Sequence, residues 1–226
     1  MRDLLKTREY FDVFILEDTK RVEKFQAKVQ EGTLKPDRVL PVKDKIIQIK
    51  IGIIIAKYSR GDSLECLKND FESVVDLFVE AWNLESYEDN LRFAALAYLL
   101  NVNSNLKEII RSKLKTSQHY DYVIDYILVG DESDLEKNKL SYPDSYSMLI
   151  SAIEEKNVKI LLEYLHGWYN DHYHSSWFDS HKLTKVNTYY GYWSFEAAAL
   201  SKRLRLEDEC LKNENYYPYD MAHFTN

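Results

Sequence analysis

The chain has little of what most enzymes and secreted domains depend on. Its 226 residues include two cysteines, four prolines and six glycines. Cys66 and Cys210 show no metal-type spacing and make no disulfide framework, a usage that fits a reducing compartment. The glycines never form Gly-x-Gly-x-x-Gly or Gly-Lys-Ser/Thr, so the phosphate-binding loops are missing. Ser175 and Ser176 lack a Gly-x-Ser-x-Gly setting, and no His-Glu-x-x-His occurs. The longest apolar stretch, Ile46 to Ala56, is interrupted by Gln48 and Lys50 and is too short to span a bilayer. Met1 to Asp12 is charged and lacks the apolar core of a signal peptide. Basic excess is also lacking: 30 Lys and Arg against 37 Asp and Glu leave a net charge of -7, which argues against a nucleic-acid binder and favours a basic protein partner. These absences predict a cytoplasmic protein with no cofactor, no membrane contact and no catalytic set.

What is present is helical periodicity. Phe11, Phe14, Ile15, Val22, Phe25 and Val29 recur at helical spacing within Leu5 to Gln30. Pro36 and Pro41 then bracket a loop. In Val42 to Arg60 the isoleucines suit a strand or a helix, but Ile47, Ile51, Ile54 and Tyr58 follow the helical period, and Gly61 is placed to end a helix. Asp62 and Glu65 have capping-box spacing, opening a helix whose apolar stripe runs from Leu64 to Trp82. Shorter helices are predicted at Tyr87 to Leu100, Ser104 to Lys115, Tyr120 to Val129, Pro143 to Lys156, Val158 to Leu165 and Trp193 to Leu204. His166 to Lys182 has no steady period. The Gly130 to Asn138 segment is polar and reads as the domain boundary, near residues 130 to 142. The expected fold is all-α, a two-part helical bundle with domains at 1–130 and 138–224.

The least ordinary stretch is Tyr189-Tyr190-Gly191-Tyr192-Trp193-Ser194-Phe195-Glu196-Ala197-Ala198-Ala199-Leu200. Gly191 permits a backbone turn that a side chain would forbid, and the alanines let a neighbouring element approach closely. Glu196 lies in a first helical turn, where the dipole favours negative charge. If buried it needs partners, and the hydroxyls of Tyr189, Tyr190 or the Tyr216-Tyr217-Pro218-Tyr219-Asp220 segment are candidates. Gly191, Trp193, Glu196, Tyr217 and Asp220 are therefore read as the structural signature of the second domain.

These two motifs resemble the C-terminal domain of the PoNi immunity proteins, and Ala56-Lys57-Tyr58-Ser59-Arg60-Gly61 with Asp62-Ser63-Leu64 is similar to that family's N-terminal domain. The likeness covers nearly the whole chain. It implies an antagonist that binds a polymorphic bacterial DNase toxin without doing chemistry.

Two acidic groups are candidate toxin contacts. Residues 62 to 89 hold nine acids and one base, with Glu65, Glu72, Asp76 and Glu80 opposite the apolar stripe. Like charges four residues apart cost about 0.2 to 0.5 kcal/mol per pair, yet such a row can imitate a phosphate backbone. Its bland reading is a solvated face balanced by residues 1 to 61. The second group is Asp131, Glu132, Asp134 and Glu136. The rival function is a metal-dependent hydrolase on His172, His174 and His181, although His-x-His suits a loop rather than a helix and no recognised spacing supplies the third ligand. The aromatic wealth is taken as core and interface, since base-stacking platforms come with basic grooves.

Overall fold

A computed structural model describes residues 1–136 and 140–225. The expected second-domain start at Asn138, and the linker residues beside it, lie outside the described residues. The protein is all-α, with no strand among the described residues, and no described helix is long and apolar enough to cross a membrane. Two compact units are formed, one from Met1–Asn83 with Ser176–Gly191 and the other from Leu84–Ser175 with Tyr192–Asn226. This division differs from a single junction at 130 to 142. A change in composition along the chain cannot register a distant segment that returns to the first unit.

In the first unit, α1 (Arg8–Gln30) packs along α2 (Pro36–Arg60), which in turn covers α3 (Leu64–Glu72) and α4 (Val75–Ala81). Residues Ile46, Ile47, Ile49, Ile51, Ile53, Ile54 and Ile55 of α2 are all buried. A helix apolar on every side is a central helix, which explains why that run also looked like a buried strand. Thr7 caps α1 by accepting the Tyr10 N–H. The proline loop is shorter than expected, because α2 starts at Pro36 and carries Pro41 inside it.

The helix expected from Asp62 to Trp82 is two helices. Its N-cap is Ser63, which accepts the Cys66 N–H, while Asp62 instead receives the guanidinium of Arg60. The break falls at Ser73 and Val74, where the Val74 N–H bonds to Phe71 O and the Ser73 hydroxyl donates to Asp70 O. Alternative hydrogen bonding of this kind competes with helix continuation.

The second unit is built on α10 (Phe195–Leu204), which packs on α5 (Tyr87–Leu99), α7 (Tyr122–Val129), α8 (Pro143–Glu155), α9 (Val158–Asp171) and α11 (Tyr219–Ala222). Ala197, Ala198 and Ala199 have no exposed surface, consistent with close approach by neighbours. α6 (Ser104–Leu114) packs beside α5 and α7. The segment 130–132 forms a 3₁₀ turn, and α9 continues well past the expected Leu165. The tail is folded, with Phe224 O accepting from Asn101 Nδ2 at 2.7 Å.

Gly61 ends α2 in the left-handed region at φ 102°, and a Cβ there would lie 3.1 Å from the Met1 backbone nitrogen. Its N–H and that of Asp62 close onto Lys57 O at 3.1 and 3.0 Å. Gly61→Ala is expected to lower stability by about 1–2 kcal/mol in urea unfolding, with native helicity retained. An unchanged midpoint would show that the cap is not strained by a side chain.

Candidate functional site

The signature stretch opens with Gly191 at φ 117°, a conformation that favours glycine. Beyond it the chain enters α10, and the Glu196 carboxylate lies buried in the first turn. One oxygen, Oε1, accepts from the Tyr164 hydroxyl at 2.9 Å, Trp168 Nε1 at 2.6 Å and the Ser194 hydroxyl at 2.6 Å. Tyr164 and Trp168 are four residues apart on α9 and so share a face. The expected partners at Tyr189, Tyr190 and 216–220 are replaced by these three donors. Tyr189 belongs to the first unit, where its hydroxyl donates to buried Asp3.

Tyr217 serves a second hub, in which its hydroxyl and that of Ser201 donate to Asp208, and His223 Nε2 reaches the other carboxylate oxygen at 2.8 Å. Trp193 is half-buried and Asp220 is exposed in the first turn of α11. A third hub has no counterpart in the sequence reading. Asp125, fully buried, receives Arg111 through two bonds of 2.7 and 3.2 Å, with Tyr120 and Ser133 donating as well. Burial pushes the Asp125 carboxyl up, but those hydrogen bonds outweigh it and hold it below the ordinary carboxylate value.

The cations of α10 also act away from their own helix end. Arg203 donates to Ile127 O and Leu128 O at the end of α7, and Lys202 to Leu99 O, Asn101 Oδ1 and Phe224 O. Ile127 O, Leu128 O and Leu99 O are carbonyls that the ends of α7 and α5 leave unpaired, while Phe224 O belongs to the tail beyond α11. Nothing in the spacing of Lys202 and Arg203 distinguishes this from service to their own helix.

His172 is buried between two partners: its Nδ1 is 2.6 Å from Trp168 O and its Nε2 is 3.2 Å from the Tyr146 hydroxyl. A carbonyl only accepts, so Nδ1 carries the proton and Nε2 accepts from Tyr146. Neither ring nitrogen is left for a metal. His174 is exposed, and burial pushes the His181 pKa down. Among the described residues, no three His, Cys, Asp or Glu side chains are placed to hold a metal ion.

The break between α3 and α4 separates the acidic row. Glu72 is the last residue of α3 and Asp76 lies in the first turn of α4, so the even four-residue repeat on one helix does not exist. Glu65, Asp76 and Glu80 are exposed, Glu80 pairing with Lys43, and Glu72 is half-buried. In the second unit Asp131, Glu132, Asp134 and Glu136 are all exposed. Asp131 accepts a long bond from Tyr126 at 3.4 Å, and Asp134 lies 3.6 Å from Arg111 and 3.7 Å from Lys115. Glu132 and Glu136 make no ion pair or hydrogen bond among the described residues. After burial, the charges of Asp131 and then Glu154 are the main causes raising the Tyr122 pKa, so the loop and the end of α8 act on one hydroxyl.

Two family descriptions match the chain: "PoNe immunity protein (PoNi), N-terminal" over residues 2–111 and "PoNe immunity proteins (PoNi), C-terminal" over residues 119–221. Among solved structures, the crystal structure of protein PA2201 from Pseudomonas aeruginosa is similar in fold, with a TM-score of 0.76, 15% identity, and coverage of 98% of this chain and 89% of that one. A search of curated proteins found no match to this chain.

Removing the Glu196 carboxylate leaves three donors unpaired in the core. Glu196→Ala is expected to cost about 3–5 kcal/mol, and Glu196→Gln, which keeps an acceptor, less than half of that. Equal urea midpoints for the two variants would show that hydrogen bonding is not what the carboxylate contributes. Burial also pushes the hydroxyls of Tyr87, Tyr120, Tyr146, Tyr164 and Tyr217 well above the ordinary tyrosine value of 10.0. Above that pH the unfolded chain binds fewer protons than the folded one, so stability that is complete at lower pH is lost as pH rises. Tyrosinate absorbance should therefore rise together with loss of helicity. Full ionisation at ordinary pH with helicity intact would contradict it.

Proposed function

From the premise that this chain belongs to the family of PoNe immunity proteins (PoNi), we propose that it neutralises a cognate bacterial DNase toxin in the cytoplasm by binding it, without catalysis. A nuclease must present a basic groove to hold the phosphate backbone, so its antagonist needs negative charge on the contacting face. The observation that carries this reading is the segregation of charge. The second unit has 13 bases and 21 acids, a net of -8, whereas the first has 17 bases and 16 acids, a net of +1.

That imbalance favours Asp131, Glu132, Asp134 and Glu136 over Glu65, Glu72, Asp76 and Glu80 as the toxin contact. The 16 acids of the first unit stand among 17 bases, and Glu80 already has a lysine. Those of the 131–136 loop belong to the part of the chain with a surplus. Exposed charges of this kind steer association and fix register more than they add affinity. A hydrolase built on His172, His174 and His181 has no comparable support, since His172 spends both ring nitrogens inside the protein.

The test is charge reversal in the loop: Asp131→Lys, Glu132→Lys and Glu136→Lys together. Affinity for the nuclease encoded beside this gene is expected to fall ~10–100-fold at low salt, with a weaker dependence on ionic strength and reduced survival on co-expression. The matching triple Glu72→Lys, Asp76→Lys and Glu80→Lys should change affinity less than threefold. If the loop variant binds as the parent does, the contact lies elsewhere. If the parent holds no nuclease while folded, the immunity reading itself fails.

A further inference from the structure

Where α3 gives way to α4, the first unit encloses an open-mouthed cavity of about 160 Å³. Val22 of α1, Ile53 and Ile54 of α2 and Val74 at the helix break supply its apolar lining, and Thr19, Lys50, Lys57, Asp70 and Ser73 its polar lining. A closed, wholly apolar cavity of comparable volume accepts a molecule the size of benzene; this one is open to solvent and lined by polar as well as apolar residues. Lys50 and Lys57 are seven residues apart and share one face of α2.

The two lysines are not equivalent. Lys57 is paired with Asp70 at 2.7 Å, and the Ser73 hydroxyl is committed to Asp70 O. Lys50 is half-buried and makes no ion pair or hydrogen bond among the described residues. The cavity therefore combines an apolar body site with a single uncommitted ammonium group. A cationic ligand is repelled by Lys50, and a doubly charged anion would meet one free cation and the Asp70 carboxylate. A monoanion with a compact apolar body satisfies both parts.

We propose that this cavity is a binding site for a small monocarboxylate, its apolar body against Val22, Ile53, Ile54 and Val74 and its carboxylate on Lys50, with the Thr19 hydroxyl as a second donor. The proposal does not rest on the toxin-binding reading and concerns a different surface. It assigns the helix break a consequence: the cavity is lined by Ser73 and Val74, the two residues at which the longer helix is interrupted.

The probes are hexanoate, hexanol and hexylamine, each titrated into the full chain by calorimetry and by amide NMR shifts. Hexanoate should saturate, with shifts centred on Val22, Ile53, Ile54 and Val74, and hexylamine should not bind. Lys50→Gln should weaken hexanoate about tenfold or more and leave hexanol unchanged, while Lys45→Gln, an exposed change elsewhere on α2, should leave both as they were. Val74→Phe, which fills the space, should abolish hexanoate binding in protein of unchanged helicity. Should that variant unfold, Lys50→Gln decides alone. Hexanoate binding no tighter than hexanol, or indifferent to Lys50→Gln, or absent at millimolar concentration, overturns the proposal.

Discussion

A carboxylate in a protein interior must find donors or lose its charge, and this chain meets that demand repeatedly by gathering several donors around each buried acid, some from nearby turns and some from distant helices. Glu196 draws Tyr164, Trp168 and Ser194 onto one oxygen, which ties α9 to the start of α10. Asp208 gathers Tyr217, Ser201 and His223. Asp125 gathers Arg111, Tyr120 and Ser133. In the first unit Asp3 takes the Tyr189 hydroxyl and two backbone N–H groups of its own segment. Apolar packing is non-directional, so it stabilises these helices without choosing one arrangement. Each hub adds direction, because a misplaced helix would leave a buried charge unpaired.

The same rule separates carboxylates that build the fold from those available to a partner. Glu196, Asp208, Asp125 and Asp3 are buried, and each has its donors. The acids of the 131–136 loop are on the surface and are not needed to complete any core. On the proposed reading, negative charge for a toxin is carried by the unit whose helices are already fixed by internal carboxylates. The surface can then present like charges side by side, because the core tolerates their small mutual repulsion.

The tyrosines follow from this division. Many are buried, and burial holds their hydroxyls protonated while they donate to carboxylates, as Tyr164 and Tyr217 do. A phenol offers a large apolar body with one polar end, which suits a core that must bury charge. Their abundance in the second half of the chain is thus accounted for by structure, with no need of a ligand pocket.

Read alone, the sequence determined the all-α class and the positions of most helices, because the helical period is a local pattern; it singled out Glu196 but misplaced its partners, because the tyrosines expected to hold it are not the side chains that reach it. It also carried the family motifs. Helix ends were less legible: Ser63 rather than Asp62 caps α3, and Pro41 sits inside α2, since hydrogen-bond partners and neighbouring packing settle such points. Only the tertiary structure decided that the row from Glu72 to Glu80 is broken at Ser73, that Tyr164 and Trp168 hold Glu196, and that 176–191 rejoins the first unit. Each of these depends on which distant groups meet in space, and a repeat along the chain contains no record of that.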